Sequence, residues 1–288
     1  MSNVTSPERR NNRSRNAYCL CSEKHNWRGK TLKISIRDWL LAIGAALGPV
    51  AGALADEVRV AVAANFTAPA QRIAADFEKS TGHKVLLSIG STGKFSAQIR
   101  NGAPYEVLLS ADSETPARLQ AEHLAVAGTR ITYAIGKLVL WSPRPGVVDA
   151  NGNVLRTGHF SHLAIADPAL APYGAAAVQT MRALGLYDRL HDRIVQGENI
   201  GQAFQFVASG NAELGFVALS QIEDDGRLRE GSSWPVPASL HSTLSQDAVL
   251  LEPGRDHAAA KAFLEWMMAP GARAVIRSYG YDLPGESQ

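Results

Sequence analysis

The feature that most constrains this chain is a change of hydrophobic period at residue 65. Val58-Arg-Val60-Ala-Val62-Ala-Ala-Asn65 alternates as a strand does, and the next apolar residues, Phe66, Ala70, Ile73, Ala74 and Phe77, recur at helical spacing. Thr67 suits a helix cap, Pro69 suits a first turn and Gly82 suits a stop. Asn65 is therefore expected where the C-terminus of a strand meets the N-terminus of a helix. The change recurs twice. A strand around residues 85–87 breaks into Gly90-Ser-Thr-Gly-Lys-Phe95 and restarts as a helix, and Val107-Leu-Leu109 leads into a helix through Ala117, Leu119 and Leu124. Strand, helix, strand, helix, strand at this pace predicts a parallel sheet with crossover helices.

The pattern then stops and starts again. Residues 131–141 read as a strand broken at Gly136, and Pro143, Pro145, Gly146 and Asn151-Gly152 mark a loop. Leu163-Ala-Ile-Ala166 reads as a buried strand ended by Asp167-Pro168, and Pro172-Tyr-Gly174 opens a helix through Val178, Met181 and Leu184. A short strand near Ile194-Val195, the turn Gly197-Glu-Asn199-Ile200-Gly201, a helix to Ala208 and the strand Leu214-Gly-Phe-Val217 complete a second unit. After Trp234-Pro235 the chain returns through Ala248-Val-Leu-Leu251 and closes with a helix whose apolar face is Ala260, Phe263, Leu264 and Met267. Two such units joined by few crossings predict a cleft. Loops 63–65, 90–93, 172–174 and 199–201, at strand C-termini, would face across it.

Charge narrows what could occupy that cleft. The 288 residues carry a formal charge of +2, but residues 1–55 hold nine Lys/Arg against three acids, so the remainder holds 20 bases against 24 acids. A body near −4 has no electrostatic footprint for nucleic acid, and an anion bound to it must be held by local dipoles. Residues 1–37 are polar and basic, and the apolar stretch from Trp39 ends in Ala53-Leu-Ala55, a small-x-small cleavage pattern. We expect secretion to the periplasm with cleavage after Ala55. A retained anchor is the alternative, although the stretch is short and Gly/Pro-broken where a spanning helix wants ~20 apolar residues. Cys19 and Cys21 precede the stretch, neither sits as a lipidated cysteine should, and the remainder has no cysteine.

Several motifs are excluded by their own chemistry. Gly90-Ser-Thr-Gly-Lys-Phe95 superficially resembles a nucleotide-binding loop, yet Ser88 stands where the first glycine belongs and Phe95 where the magnesium-binding hydroxyl belongs. Small hydroxyl and glycine residues at a helix start suit an anion cradle, with an ordinary strand–helix turn built of small residues as the alternative, and Lys94 reads as a solvated helix-start residue. His159 and His162 lack the companions a metal site needs. There is no Gly-x-Ser-x-Gly elbow, no His-Glu-x-x-His and no carboxylate pair in an apolar setting. Asp112 and Asp167 each end a strand and read as turn or helix caps, with an acid or base role in a secreted enzyme as the alternative. Tyr173, between Pro172 and Gly174, is a rigid phenol suited to ligand contact or to a cleft wall.

Six segments carry a family resemblance. Val-Ala-Ala-Asn-Phe-Thr67, Gly90-Ser-Thr-Gly-Lys-Phe-Ser-Ala-Gln-Ile99, Ala-Asp-Pro168 with Pro-Tyr-Gly174, Gly-Glu-Asn-Ile200, Gly-Phe-Val-Ala-Leu-Ser220 and Ala-Phe-Leu-Glu-Trp266 with Ser-Tyr-Gly-Tyr281 resemble the periplasmic molybdate-binding proteins of ABC transporters. The match covers nearly all of residues 58–281. It implies an α/β, two-lobed periplasmic-binding-protein fold of type II, each lobe a mainly parallel sheet flanked by helices, with the ligand in the interlobe cleft. Lobe 1 would comprise residues 56–135 plus 247–288 and lobe 2 residues 136–246, behind a secretion segment at 1–55, with hinge crossings near 133–137 and 246–249. The family's oxyanion contacts fall on Asn65, Thr92 with Ser91 beside it, Tyr173 and the Ile200 backbone N–H. Some members donate from a tyrosine where this chain has Ala218, so that hydrogen bond must come from elsewhere, with Tyr173 the candidate.

The resemblance thus implies a receptor for molybdate and tungstate that delivers to a membrane permease. It implies no catalysis, no cofactor, no metal apart from the molybdenum of the oxyanion, no nucleic acid, and a monomer. A receptor for sulfate, phosphate or a small carboxylate stays open, though a carboxylate would call for an arginine and none of the four loops has one.

Overall fold

A computed structural model describes residues 55–285, and the expected secretion segment with Cys19 and Cys21 lies outside the described residues. The alternating start forms β1 (Glu57–Ala63), a single 3-10 turn (Ala64–Phe66) and α1 (Thr67–Thr81), which Gly82 ends in the left-handed region at φ 78°. Then come β2 (Lys84–Gly90), α2 (Thr92–Arg100), β3 (Val107–Leu109) and α3 (Glu114–Ala121). The strand expected at 131–141 with a break at Gly136 is a pair, β4 (Ile131–Gly136) and β5 (Leu138–Ser142), with Lys137 alone between them. The second unit holds α4 (Val154–Thr157), β6 (Leu163–Ala166), α5 (Pro172–Ala183), α6 (Tyr187–Leu190), β7 (Ile194–Gly197), α7 (Ile200–Ala208) and β8 (Leu214–Ala218). A short α8 (Leu219–Ile222), a small hairpin of β9 (Glu223–Asp224) and β10 (Arg227–Leu228), and β11 (Ser232–Pro235) follow. β12 (Leu244–Leu250), α9 (Ala258–Trp266) and α10 (Pro270–Ser278) end the fold.

The strands form two five-stranded sheets in the orders β2-β1-β3-β12-β4 and β11-β5-β8-β6-β7. In each, one strand runs against the others: β12 is antiparallel to β3 and β4, and β5 is antiparallel to β8 and β11. Those two strands are the ones by which the chain arrives from the other sheet. The lobes therefore share one topology, with β1 and β2 of the first matching β6 and β7 of the second. β11 escapes the sequence reading because Pro235 ends it, and an edge position tolerates that proline.

Apolar alternation packs both faces of each sheet. In β1, Val58, Val60 and Val62 join Phe66, Ile73, Phe77 and Phe263 on one side, and Ala61 joins Phe95, Ile99 and Leu119 on the other. In β5, Leu138 and Leu140 face the α5 side with Met181, and Val139 and Trp141 face the α7 side with Val207. The first crossing is at Lys137. The second lies between β11 and β12, at residues 236–243, upstream of the expected 246–249. The expected boundary at 246/247 falls inside β12, where Gln246 pairs with Ala134 of β4. Polar residues disguise this half of the strand, because Gln246 and Asp247 are buried and satisfied by distant partners.

Candidate functional site

Four βα junctions converge. The last residues of the parallel pair β1 and β2 are in register, Ala63 with Gly90, as are those of β6 and β7, Ala166 with Gly197. Each pair ends two loops at one level, and the two pairs face each other. Asn65 sits in the 3-10 turn after β1, Ser91 and Thr92 open α2 after β2, Tyr173 is the second residue of α5, and Ile200 is the first of α7. All five line one small cavity together with Ala63, Ala64, Gly90, Ala111, Ala171, Pro172 and Asn199. Ala218, the last residue of β8, is fully buried and does not line it. The cavity has a volume of about 10 Å³ for the centre of a water-sized sphere, which is room for about one water.

No charged side chain lines it. What it presents is donors. The Ser91 and Tyr173 hydroxyls are the two buried side-chain polar atoms without a hydrogen-bond partner among the described residues, and both belong to this cavity. Thr92 Oγ1 accepts from the Ala111 N–H at 3.1 Å, which leaves its own hydrogen to donate. Asn199 caps α7 by accepting from the Gln202 N–H at 3.1 Å, so the Ile200 N–H is among those at the helix start with no intrahelical acceptor. Burial pushes the Tyr173 phenol well above its ordinary range, with the nearby Tyr281 and Tyr133 adding to the shift and the Asn65 amide opposing it. The phenol thus stays a donor at any physiological pH.

Close approach sets the position of that phenol. A Cβ on Gly136 would lie 2.1 Å from the Tyr173 hydroxyl, so the glycine beside the first crossing makes room for its tip. Gly174 likewise lets α5 start against β6, since a Cβ there would lie 2.2 Å from the Ala166 carbonyl.

Asn65 lines the cavity, and its amide is also engaged within the protein. Its Nδ2 donates to Gln246 Oε1 at 2.7 Å and to the Tyr281 hydroxyl at 2.9 Å, so both amide hydrogens are spent away from the cavity. Gln246, Tyr281, Ser220 and Gly136 went unassigned in the sequence. Tyr281 and Ser220 stand in the family-like segments, but nothing local gives them a role.

The lobes meet around the cavity. The Gly93 N–H donates to the Leu170 carbonyl at 2.8 Å, Ser220 Oγ donates to the Asn65 carbonyl at 2.8 Å, and Lys94 Nζ pairs with Glu198 Oε1 at 2.5 Å. Lys94 is thus half-exposed, as expected of a helix-start residue, and reaches the opposite lobe. Asp112 accepts from the Thr115 N–H at 2.8 Å and Asp167 from the Ala169 N–H at 2.8 Å, the capping roles expected of them. Burial raises the Asp112 carboxyl, opposed by its bonds to Thr115 and Ser110. His159 and His162 are exposed, and among the described residues no group of three or more His, Cys, Asp or Glu could hold a metal. No described helix is long and apolar enough to cross a membrane.

Two lobes of one topology, meeting around a small donor-lined cavity at their switch points, define a solute-binding protein. The chain belongs to the bacterial extracellular solute-binding protein family, whose model matches residues 58–282. It is 54% identical over 252 residues to the molybdate-binding protein ModA of Azotobacter vinelandii, covering 88% of this chain and 100% of that one. It is 49% identical over 253 residues to the molybdate-binding protein ModA of Rhodobacter capsulatus, covering 88% and 97%. The solved structure of the Azotobacter vinelandii periplasmic molybdate-binding protein matches with a TM-score of 0.77 at 45% identity, covering 79% of this chain and 99% of that chain. The two-lobed α/β fold expected from the motifs is the fold found.

Proposed function

We propose that this chain is the receptor that captures molybdate, and tungstate with it, outside the cytoplasm for import by an ABC transporter. One observation carries the reading: the buried hydroxyls of Ser91 and Tyr173, without a hydrogen-bond partner among the described residues, line one small cavity to which no described residue brings a charged side chain. A buried donor without an acceptor costs about 1–3 kcal/mol, a cost removed when a ligand supplies the acceptor. A tetrahedral dianion offers oxygens in every direction and no hydrogen. Ser91, Thr92, Tyr173 and the N–H groups of the Asn65 and Ile200 loops would meet it, and the starts of α2, α5 and α7 add partial positive charge. Fixed neutral dipoles then replace water around the anion without a counter-ion. The identity to two molybdate-binding proteins supports the choice of ligand.

Selectivity follows from the same inventory. Hydrogen phosphate carries a proton that needs an acceptor, and the lining has no carboxylate to take it. Sulfate must be rejected by size, since a smaller tetrahedron leaves some of the fixed donors out of reach. One chain supplies all four loops, so a monomer suffices, and the permease would recognise the closed form. The protein would reach the periplasm by cleavage after Ala55. Asp112 and Asp167 are occupied as caps, the relatives are binding proteins, and no turnover is expected with phosphate esters. Titration calorimetry tests the reading. Tight one-to-one molybdate binding with none for sulfate is expected, equal affinities would refute the selectivity, and no binding of either would refute the assignment.

A further inference from the structure

Asn65 is fixed by four hydrogen bonds from three distant segments. Its Nδ2 donates to Gln246 Oε1 and the Tyr281 hydroxyl, and its carbonyl accepts from Ser220 Oγ at 2.8 Å and the Tyr281 hydroxyl at 2.9 Å. The direction of the amide is dictated from outside. Gln246 Nε2 donates to the Leu244 carbonyl at 2.8 Å and reaches the Ala111 carbonyl at 3.4 Å, which turns Oε1 toward Asn65 and requires Nδ2 there. All four residues are buried. They also come from different parts of the machine: Asn65 from the first cleft loop, Gln246 from the strand that returns after the second crossing, and Tyr281 from the C-terminal segment packed edge-on to Phe66 at 5.4 Å. Ser220, in α8 just after β8, belongs to the other lobe, and Tyr281 lies 3.1 Å from its Oγ.

We infer that Asn65, Gln246, Tyr281 and Ser220 form a positioning relay that couples lobe closure to the anion-facing main chain of the first loop. The Asn65 side chain is then a positioning group and not a donor to the ligand. When the lobes meet, Ser220 completes the set of bonds that orients the Asn65 peptide, and Gln246 ties that peptide to the crossing strand. Separation of the lobes removes the Ser220 bond and loosens the loop. The inference rests on the oxyanion reading and deepens it.

A double-mutant cycle on molybdate affinity and release rate tests it, with Asn65→Ala, Tyr281→Phe and the double variant in the otherwise intact protein. If Asn65 acts through Tyr281, each single change weakens binding by about tenfold, mainly through faster release, and the double variant is within about threefold of the weaker single one. If the effects multiply to about a hundredfold, Asn65 contacts the ligand independently and the inference is overturned. It is also overturned if Tyr281→Phe lowers only the melting temperature of the ligand-free protein and leaves the release rate unchanged. Should Tyr281→Phe not fold, Ser220→Ala takes its place with the same expectations. Small-angle scattering of the ligand-free protein separates the relay from the ligand assignment. Ser220→Ala should shift it toward the open form whatever the solute is, whereas failure of the unaltered protein to bind molybdate counts against the assignment alone.

Discussion

Replacing Tyr173 by phenylalanine should move folding and binding in opposite directions. The side chain is 1% exposed, and its hydroxyl has no hydrogen-bond partner among the described residues. Phenylalanine keeps the ring and needs less room beside Gly136. Without ligand, the change removes an uncompensated buried donor, so stability should hold or rise by up to about 1–3 kcal/mol. With ligand, the lost bond is one to a charged group, about 1.5–3 kcal/mol, which weakens binding by ~10- to 150-fold. Linkage makes the contrast visible in denaturation. At a molybdate concentration a thousand times the Kd of the unaltered protein the ligand adds ~4 kcal/mol, and a variant weakened a hundredfold gains only ~1.4 kcal/mol at that concentration. Calorimetry and denaturation with and without molybdate measure both. A variant that is less stable without ligand and binds as before would refute the reasoning, because the hydroxyl would then serve the fold.

Gly136→Ala tests the space beside that phenol. Its Cβ would also lie 3.0 Å from Tyr173 Cζ and 3.1 Å from Gln246 Nε2, an overpacking cost of about 1–3 kcal/mol borne by the closed form. Molybdate affinity should fall at least ~10-fold with a larger radius of gyration in scattering, and an unchanged affinity would place the phenol elsewhere. Removing the half-exposed Lys94–Glu198 pair by alanine at both positions should cost at most ~1 kcal/mol, a loss of under about fivefold that vanishes at ~1 M salt. A hundredfold loss would mean that charge holds the ligand. Affinity should also be flat from about pH 6 to about pH 9, where the ligand stays a dianion. The lining has no lysine, arginine or histidine to lose a proton, and burial holds the Tyr173 phenol well up and the neighbouring Tyr281 at about 12, so the donors keep their hydrogens as pH rises. A fall between about pH 7 and about pH 9 would reveal a titrating group in the site.

Periodicity along the chain was enough to read the two α/β units, since a switch from period two to helical spacing at residues 63–67 or 199–203 depends only on neighbours a turn away. Such switches place four loops at strand ends, and the five residues that the family resemblance implied within them line one cavity. The second crossing and the edge strand β11 were hidden, because Gln246, Asp247 and Pro235 look unlike strand residues until their partners are known. The hydrogen bonds of Asn65 were hidden for the same reason. Its amide is committed to Gln246 and Tyr281, 181 and 216 residues away, and its carbonyl to Ser220 in the other lobe. Local sequence determined where donors would be offered, through strand ends and helix starts. Only the tertiary structure decided which donors were free to meet a ligand, because a buried hydrogen bond is made by whatever side chain the folded chain brings within reach, however far away in sequence.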